Sequence, residues 1–335
     1  MNDTRPGLNP QRLITLMQQA IQRCDLQLQS ATVLTEAATG AYIVTPVLAA
    51  MAGASKVFAL TKSTRYGSVE QVKAQTQQLA EIAGISDRLE FIAEKSPEIV
   101  AQADIITNSG HVRPIDAEMI DWMKLTAVIG LMYEAWEFRP EDIDLAACQQ
   151  RGIPIAGVNE RHPAVDVFSF LGIMAVKLLL DAGVAVYTSN ILLLCDNPFS
   201  PFIERGLVNS GALADKVTSL SEAPLDKEYD AILVALQPQP EPVLSANDAT
   251  LIAKYWSGAI VAQYWGDIDR YAFAAYNIPI WPEIEPKLGH MGILPSHVGP
   301  EPVVRLQTGG LKAAEAAWRQ SSQSNAQAMK FVQLL

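Results

Sequence analysis

The chain has 335 residues, 49% of them hydrophobic and 18% charged, with a net charge of −11. That length and apolar content suffice for one large or two medium globular domains and leave little for long disordered tails. The acidic balance repels phosphate backbones, which argues against nucleic acid or an anionic membrane as a partner.

Cys24, Cys148 and Cys195 are few and far apart, with no C-x-x-C pair. This pattern fits reduced thiols in a cytoplasmic protein, not a zinc knuckle or a disulfide framework, and no metal site is expected. His290 and His297 lie seven residues apart near Glu283 and Glu285, but that spacing matches no established metal motif. The first thirty residues lack the unbroken apolar core of a signal peptide. The longest apolar run, 168–180, is short of a membrane span and is interrupted by Lys177.

In chain order, Leu13, Leu16, Met17 and Ile21 predict an amphipathic helix. Strands are expected at 32–37, 56–62, 89–93, 104–109, 127–133 and 153–159. Helices fall between them, one closed by Gly84 and another by Gly152. A helix at 164–182 leads into a second alternating set. Its strands are expected at 190–196, 216–222, 231–238, 259–265 and 278–281, with helices near 199–210, 245–256 and 269–276. A final helix around 311–320 is placed to return to the first domain, and the Ser- and Gln-rich residues after it read as a solvated helix end. Strands alternating with helices imply parallel sheets covered on both faces.

Several stretches in the second half carry a resemblance. "KLTAVIGLMYEAWEFRPEDIDLAACQQRGIPIAGVN", "YDAILVALQPQPEPVLSANDATLIAKYWSGAIVAQYWGDID", "IWPEIEP" and "ILPSHVGPEP" follow one another. In this order they resemble the strand, substrate loop, cofactor strands and histidine segment of the D-2-hydroxyacid dehydrogenase superfamily, over residues 104–320. The resemblance implies two doubly wound α/β domains, one flavodoxin-like and one dinucleotide-binding-like, with a cleft between them. The expected division is 1–160 plus 298–335 for the substrate domain and 161–297 for the inserted domain. It also implies a nicotinamide dinucleotide cofactor and a homodimer. A second resemblance, in "VLTEAATGAY…KVFALTKSTRYG…AEIAGISDRLEFI", is to S-adenosylmethionine-dependent methyltransferases. There the ribose-binding acid is replaced by Thr61, and the glycine loop keeps only Gly40.

The dehydrogenase chemistry needs a glycine loop for the pyrophosphate, an arginine for the substrate carboxylate, and a glutamate-tuned histidine. After the strand "ILLLC" the glycine loop is replaced by Asp196, Asn197 and Pro198. Pro198 lacks the N–H a phosphate would use, and Asp196 carries the wrong charge. The resemblance places Trp265 where the family has its arginine, with Arg270 expected to face water on the next helix. His297 matches the family histidine, with Glu283 or Glu285 as its candidate partner. The substrate loop is longer than the family's and carries Glu134 and Glu137. Tyr133, Trp136, Tyr264, Trp265 and Trp281, beside these acids, form a candidate ligand cleft suited to a cationic or aromatic small molecule or peptide.

The expected function is a dehydrogenase-like protein that has lost NAD-dependent hydride transfer. It would act as a binding or accessory protein with no cofactor, serving a biosynthetic pathway. The alternatives are an NAD(P)-dependent oxidoreductase using His297 as acid/base and a methyltransferase-like enzyme.

Overall fold

A computed structural model describes residues 5–64, 66–319 and 328–335. The Ser- and Gln-rich stretch expected as a solvated helix end falls at 320–327, outside the described residues. The chain divides into two compact units, Met1–Val167 with Gly299–Leu335, and Phe168–Val298. The inserted unit therefore begins at 168, a few residues later than the sequence resemblance implied.

Unit 1 opens with α1 (Pro10–Cys24), started by Pro10 and by the Asn9 side chain, which accepts the N–H groups of Gln11 and Arg12. There follow β1 (Thr32–Glu36), α2 (Val44–Met51), β2 (Lys56–Leu60), α3 (Val69–Ala83) and β3 (Leu89–Ile92). Ser68 and Gln71 form a capping box on α3, and Gly84 ends it at φ 71°. After α4 (Pro97–Val100) come β4 (Ile105–Thr107), α5 (Ala117–Trp122), β5 (Val128–Gly130), α6 (Leu145–Arg151) and β6 (Ile155–Val158).

Unit 2 contains α7 (Leu171–Asp181), β7 (Asn190–Leu194), α8 (Ser200–Asn209), β8 (Leu213–Val217), β9 (Ala231–Ala235), α9 (Ala246–Tyr255), β10 (Ile260–Trp265), α10 (Arg270–Ala275) and β11 (Ile280–Trp281). The chain then returns to unit 1 as α11 (Glu301–Arg319) and β12 (Val332–Leu334).

Four elements differ from their sequence expectation. Helix α7, expected from 164, begins at Leu171 after a 3-10 turn over Phe168–Phe170. The strand expected at 216–222 is β8, which lies earlier and ends at Val217. Its outer position and partly exposed side chains (Leu213 is 59% exposed) removed the apolar signal. Helix α11 begins at Glu301, well before its expected start, and runs through Gly309 and Gly310. The two glycines let the helix lie close to its neighbours: a Cβ on Gly309 would lie 2.8 Å from Val158 of β6 and from Val165 in the segment after it. Strand β12 was not foreseen, and it pairs antiparallel with β6.

The sheet of unit 1 runs β12-β6-β5-β4-β1-β2-β3 and that of unit 2 runs β11-β10-β9-β7-β8. All strand pairs but β12–β6 are parallel. The central strands are accordingly buried on both faces, as in Ala231–Ala235, where every residue is buried. In each sheet the order reverses beside the first strand of the unit, between β1 and β4 and between β7 and β9. Open α/β sheets bind ligands outside the carboxyl ends of the strands at such a reversal.

Candidate functional site

In unit 2 the reversal is occupied by the segment after β7. Asp196 Oδ1 accepts the backbone N–H of Gln237 at 2.9 Å and the Asn197 amide at 3.1 Å. Asn197 Nδ2 also donates to Ala235 O at 2.7 Å, while its Oδ1 accepts the N–H of Phe199 at 3.1 Å. The loop thus ties the end of β7 to the end of β9. Where a glycine loop would offer N–H groups to a pyrophosphate, these residues bond to one another.

Beside this tie lies a cavity of about 290 Å³ at the ends of β7, β8 and β9. Asp196, Ser219, Ser221, Gln237 and Asp248 supply polar lining, and Leu220, Leu236 and Leu244 supply apolar lining. Among the described residues, no Lys, Arg or His contributes to its wall. Glu222, next to Ser221, is held by the Thr218 N–H at 3.0 Å and by its hydroxyl, and these bonds lower its pKa. A nicotinamide dinucleotide does not fit this chemistry. A phosphate about 4 Å from the Asp196 carboxylate would be repelled by about 4 kcal/mol at an effective dielectric near 20.

The aromatic residues expected at a ligand cleft are largely structural. Tyr264 is fully buried on β10, and its hydroxyl donates to Leu171 O at 3.2 Å, so it is a core side chain. Trp265 is 6% exposed, lies 5.2 Å from the Phe199 ring, and donates its indole N–H to Gly289 O at 3.1 Å. Trp281 is half-buried on β11. Arg270 does not face water as expected. Its guanidinium turns inward to Gln263 Oε1 at 2.6 Å and to the carbonyls of Pro282 and Glu283.

His297 stands exposed on a 3-10 turn, Pro295–Val298. Glu285 lies 4.0 Å from Arg270, and Glu283 engages the same arginine through its backbone carbonyl. Both carboxylates are exposed. These contacts place the two glutamates around Arg270.

In unit 1 the long loop after β5 turns its acids inward. Glu134 is fully buried and accepts the Trp136 indole N–H at 2.5 Å, the Glu160 N–H at 3.0 Å and Arg161 Nε at 3.3 Å. Glu137 Oε1 accepts the Glu134 N–H at 3.3 Å. Burial, then the neighbouring Glu134 charge, pushes the Glu137 pKa up to about 7. Glu160 is raised well above the usual carboxylate range by burial and by both neighbouring acids. Tyr133 is also buried, with its hydroxyl on Asp142 at 2.8 Å and its pKa raised by burial and by that carboxylate. This acidic loop is therefore a packed cluster of three carboxylates with Arg161, and Glu134 is not an open ligand contact.

Near Gly40, a cavity of about 170 Å³ is lined by that glycine with Ile43, Leu13 and Leu79. It falls below the roughly 300 Å³ at which ligand pockets usually begin. Thr61, after β2, is buried with its hydroxyl unpartnered among the described residues.

Sequence reasoning passed over the reversal of the unit 1 sheet. There Glu36 ends β1, and Asn108, Ser109, Gly110 and His111 follow β4. The available signals were an acid closing an apolar strand and an Asn-Ser-Gly turn after the next one. The three thiols are buried, and burial raises each to about 11, which leaves them inert. No helix among the described residues is long and apolar enough to cross a membrane.

No family model matches the chain, and no curated protein matches it in sequence. Among solved structures it is similar to a dipicolinate synthase chain from Bacillus halodurans, with 12% identity and a TM-score of 0.54 over 84% of this chain and 96% of that one. The corresponding dipicolinate synthase chain from Bacillus subtilis gives 10% identity and a TM-score of 0.56 over 89% and 100%. A NAD-dependent formate dehydrogenase from Staphylococcus aureus, solved with NAD, matches more loosely, with 13% identity and a TM-score of 0.43 over 81% and 96%. The chain has a fold of two Rossmann-like α/β units, similar to that of these dipicolinate synthase chains.

Proposed function

We propose that this dehydrogenase-like chain has lost NAD-dependent hydride transfer and acts as a cytoplasmic binding or accessory protein for a small molecule or peptide, within a biosynthetic pathway. The observation that carries the reading is Asp196 at the sheet reversal of unit 2, bonded to the Gln237 N–H at 2.9 Å. Pro198 and the missing glycines act in the same direction. The adjoining cavity, with carboxylates and no basic side chain among the described residues of its wall, favours a cationic or neutral ligand over an anionic one. The indole of Trp265, packed on Phe199, stands where the family resemblance puts a carboxylate-gripping arginine.

Calorimetric titration with NAD+, NADH, NADP+ and NADPH tests this. The expected result is no heat of binding at cofactor concentrations found in cells. A dissociation constant in the low micromolar range for any of the four would replace this reading with that of an oxidoreductase.

We further propose a homodimer. Helix α7 leaves Ile173 (56% exposed) and Leu180 (51% exposed) on one face, seven residues apart. Two exposed aliphatic side chains at that spacing form a stripe suited to a second copy. Light scattering is expected to return twice the chain mass, and a monomer mass across a wide concentration range would remove the proposal.

A further inference from the structure

The carboxyl edge of the unit 1 sheet collects groups that neither the dehydrogenase resemblance nor the proposed function uses. Strands β1 and β4 pair in parallel, Val33 with Ile105 and Leu34 with Ile106. One step on, the hydroxyls of Thr35 and Thr107 meet at 2.7 Å, and Thr107 bonds in turn to the Ser109 hydroxyl at 2.6 Å. The next step brings Glu36 and Asn108 to the same face, because strand side chains alternate.

Glu36 Oε1 accepts the backbone N–H of His111 at 3.1 Å and lies 3.6 Å from His111 Nε2. The two side chains are 15% and 24% exposed, so both can be reached from solvent. Gly110 lies under the carboxylate at φ 35°, where any Cβ would run into the Glu36 oxygens. The glycine is therefore a spatial requirement of this arrangement.

Asn108 supplies the independent observation. It is 2% exposed and its Oδ1 accepts the Met132 N–H at 2.9 Å, which fixes the amide orientation. Its Nδ2 is buried and has no hydrogen-bond partner among the described residues. A buried amide donor left unpaired costs roughly 1–3 kcal/mol, so such a group calls for a partner the protein itself does not provide. Burial also raises the pKa of Glu36, with His111 and then Arg113 pulling it back. Arg113 itself is held by Asp142 at 3.0 Å.

We propose that this edge binds a small primary amine that carries a neighbouring carboxylate or carbonyl oxygen. Glu36 receives the ammonium, with His111 beside that carboxylate, and Asn108 Nδ2 donates to the oxygen. An ammonium gives the desolvated carboxylate the opposite charge it lacks, and an oxygen gives the amide the acceptor it lacks. Neither half of the ligand alone satisfies both groups.

The test uses the full chain with 15N-labelled histidine and three probes: glycine, methylamine and acetate. The His111 signal is identified by its loss in His111→Gln. Glycine is expected to shift the His111 imidazole resonances in a saturable way, with methylamine weaker and acetate without effect. Glu36→Gln keeps the acceptor for the His111 N–H but removes the charge. Asn108→Asp keeps the acceptor for Met132 but removes the donor. Each is expected to weaken glycine by about tenfold or more, with an unchanged melting profile verifying the fold. No His111 response to any probe at millimolar concentration would overturn the proposal and assign Asn108 Nδ2 to ordered water. So would glycine binding of equal strength in both variants. The dinucleotide titration reports on unit 2, so the two proposals stand or fall separately.

Discussion

Replacing Gly206 with alanine is expected to lower the stability of unit 2 by roughly 2–3 kcal/mol. Helices α7 and α8 cross with their backbones in contact at Gly172 and Gly206. A Cβ at 206 would sit 2.6 Å from the carbonyl carbon of Gly172 and 2.8 Å from its oxygen, and a Cβ at 172 would sit 2.6 Å from Phe202 O. Both obstacles are main chain, so no rotamer change relieves them and the helices must part. The better helix propensity of alanine offsets only about 1 kcal/mol. Calorimetry should show the unit 2 transition falling by roughly 6–12 °C. Gly258→Ala is the control within the same unit: its Cβ would meet nothing within 4 Å, and it should leave the transition in place. If Gly206→Ala melts like the native chain, the close crossing does not exist in solution.

The carboxylate cluster of unit 1 should make the protein less stable as pH rises toward neutrality. Glu137 has a folded pKa of about 7 against an ordinary 4.5. Between those values the folded chain keeps a proton that the unfolded chain has released, so stability falls with rising pH. The penalty is absent below about pH 4.5 and complete above about pH 7. It amounts to about 2–3 kcal/mol for Glu137 once its partial exposure is allowed for. Glu160 acts in the same sense. Asp215 acts oppositely. Its pKa lies below the ordinary 3.8 because Lys227 and Tyr229 bond to it, so its contribution is lost only in stronger acid. Urea midpoints measured across this range should decline from mildly acidic to mildly alkaline buffer. Glu137→Gln, which keeps the acceptor for Glu134, should flatten that decline. A midpoint that is constant or rises over the same interval would contradict the buried placement of the cluster.

Sequence periodicity carried the alternating architecture because nearly every central strand is apolar on both faces. β7 and β9 are legible as "ILLLC" and "AILVA" for that reason. The absence of the glycines that the resemblance calls for after β7 is likewise visible without coordinates, since Asp196, Asn197 and Pro198 stand there in the sequence. Side-chain direction was not. Glu134 and Trp136 read as an acid and a ring facing a ligand, yet they bond to each other inside unit 1. A one-residue shift along a loop reverses inside and outside, and composition carries no record of it. Arg270 was misplaced for the same reason: a helix-start arginine ordinarily faces solvent, but buried Gln263 drew this one inward. The Glu36–Asn108 edge escaped notice because its members are far apart in the chain and meet only through strand pairing.

The return of the chain into unit 1 sets the order in which the two units can be completed during synthesis. Residues 168–298 emerge as a whole while unit 1 still lacks α11 and β12. Those late segments are internal parts of unit 1. Lys312 Nζ donates to Asp25 O at 2.7 Å, Glu315 accepts the Gln27 N–H at 3.0 Å, and Gln333 Oε1 accepts the Ala135 N–H at 2.8 Å. Domains generally fold as units while the chain is being made. Unit 1, begun first, is therefore completed after unit 2, and until α11 and β12 emerge its unpaired β6 edge and the sheet face awaiting α11 remain open to chaperones.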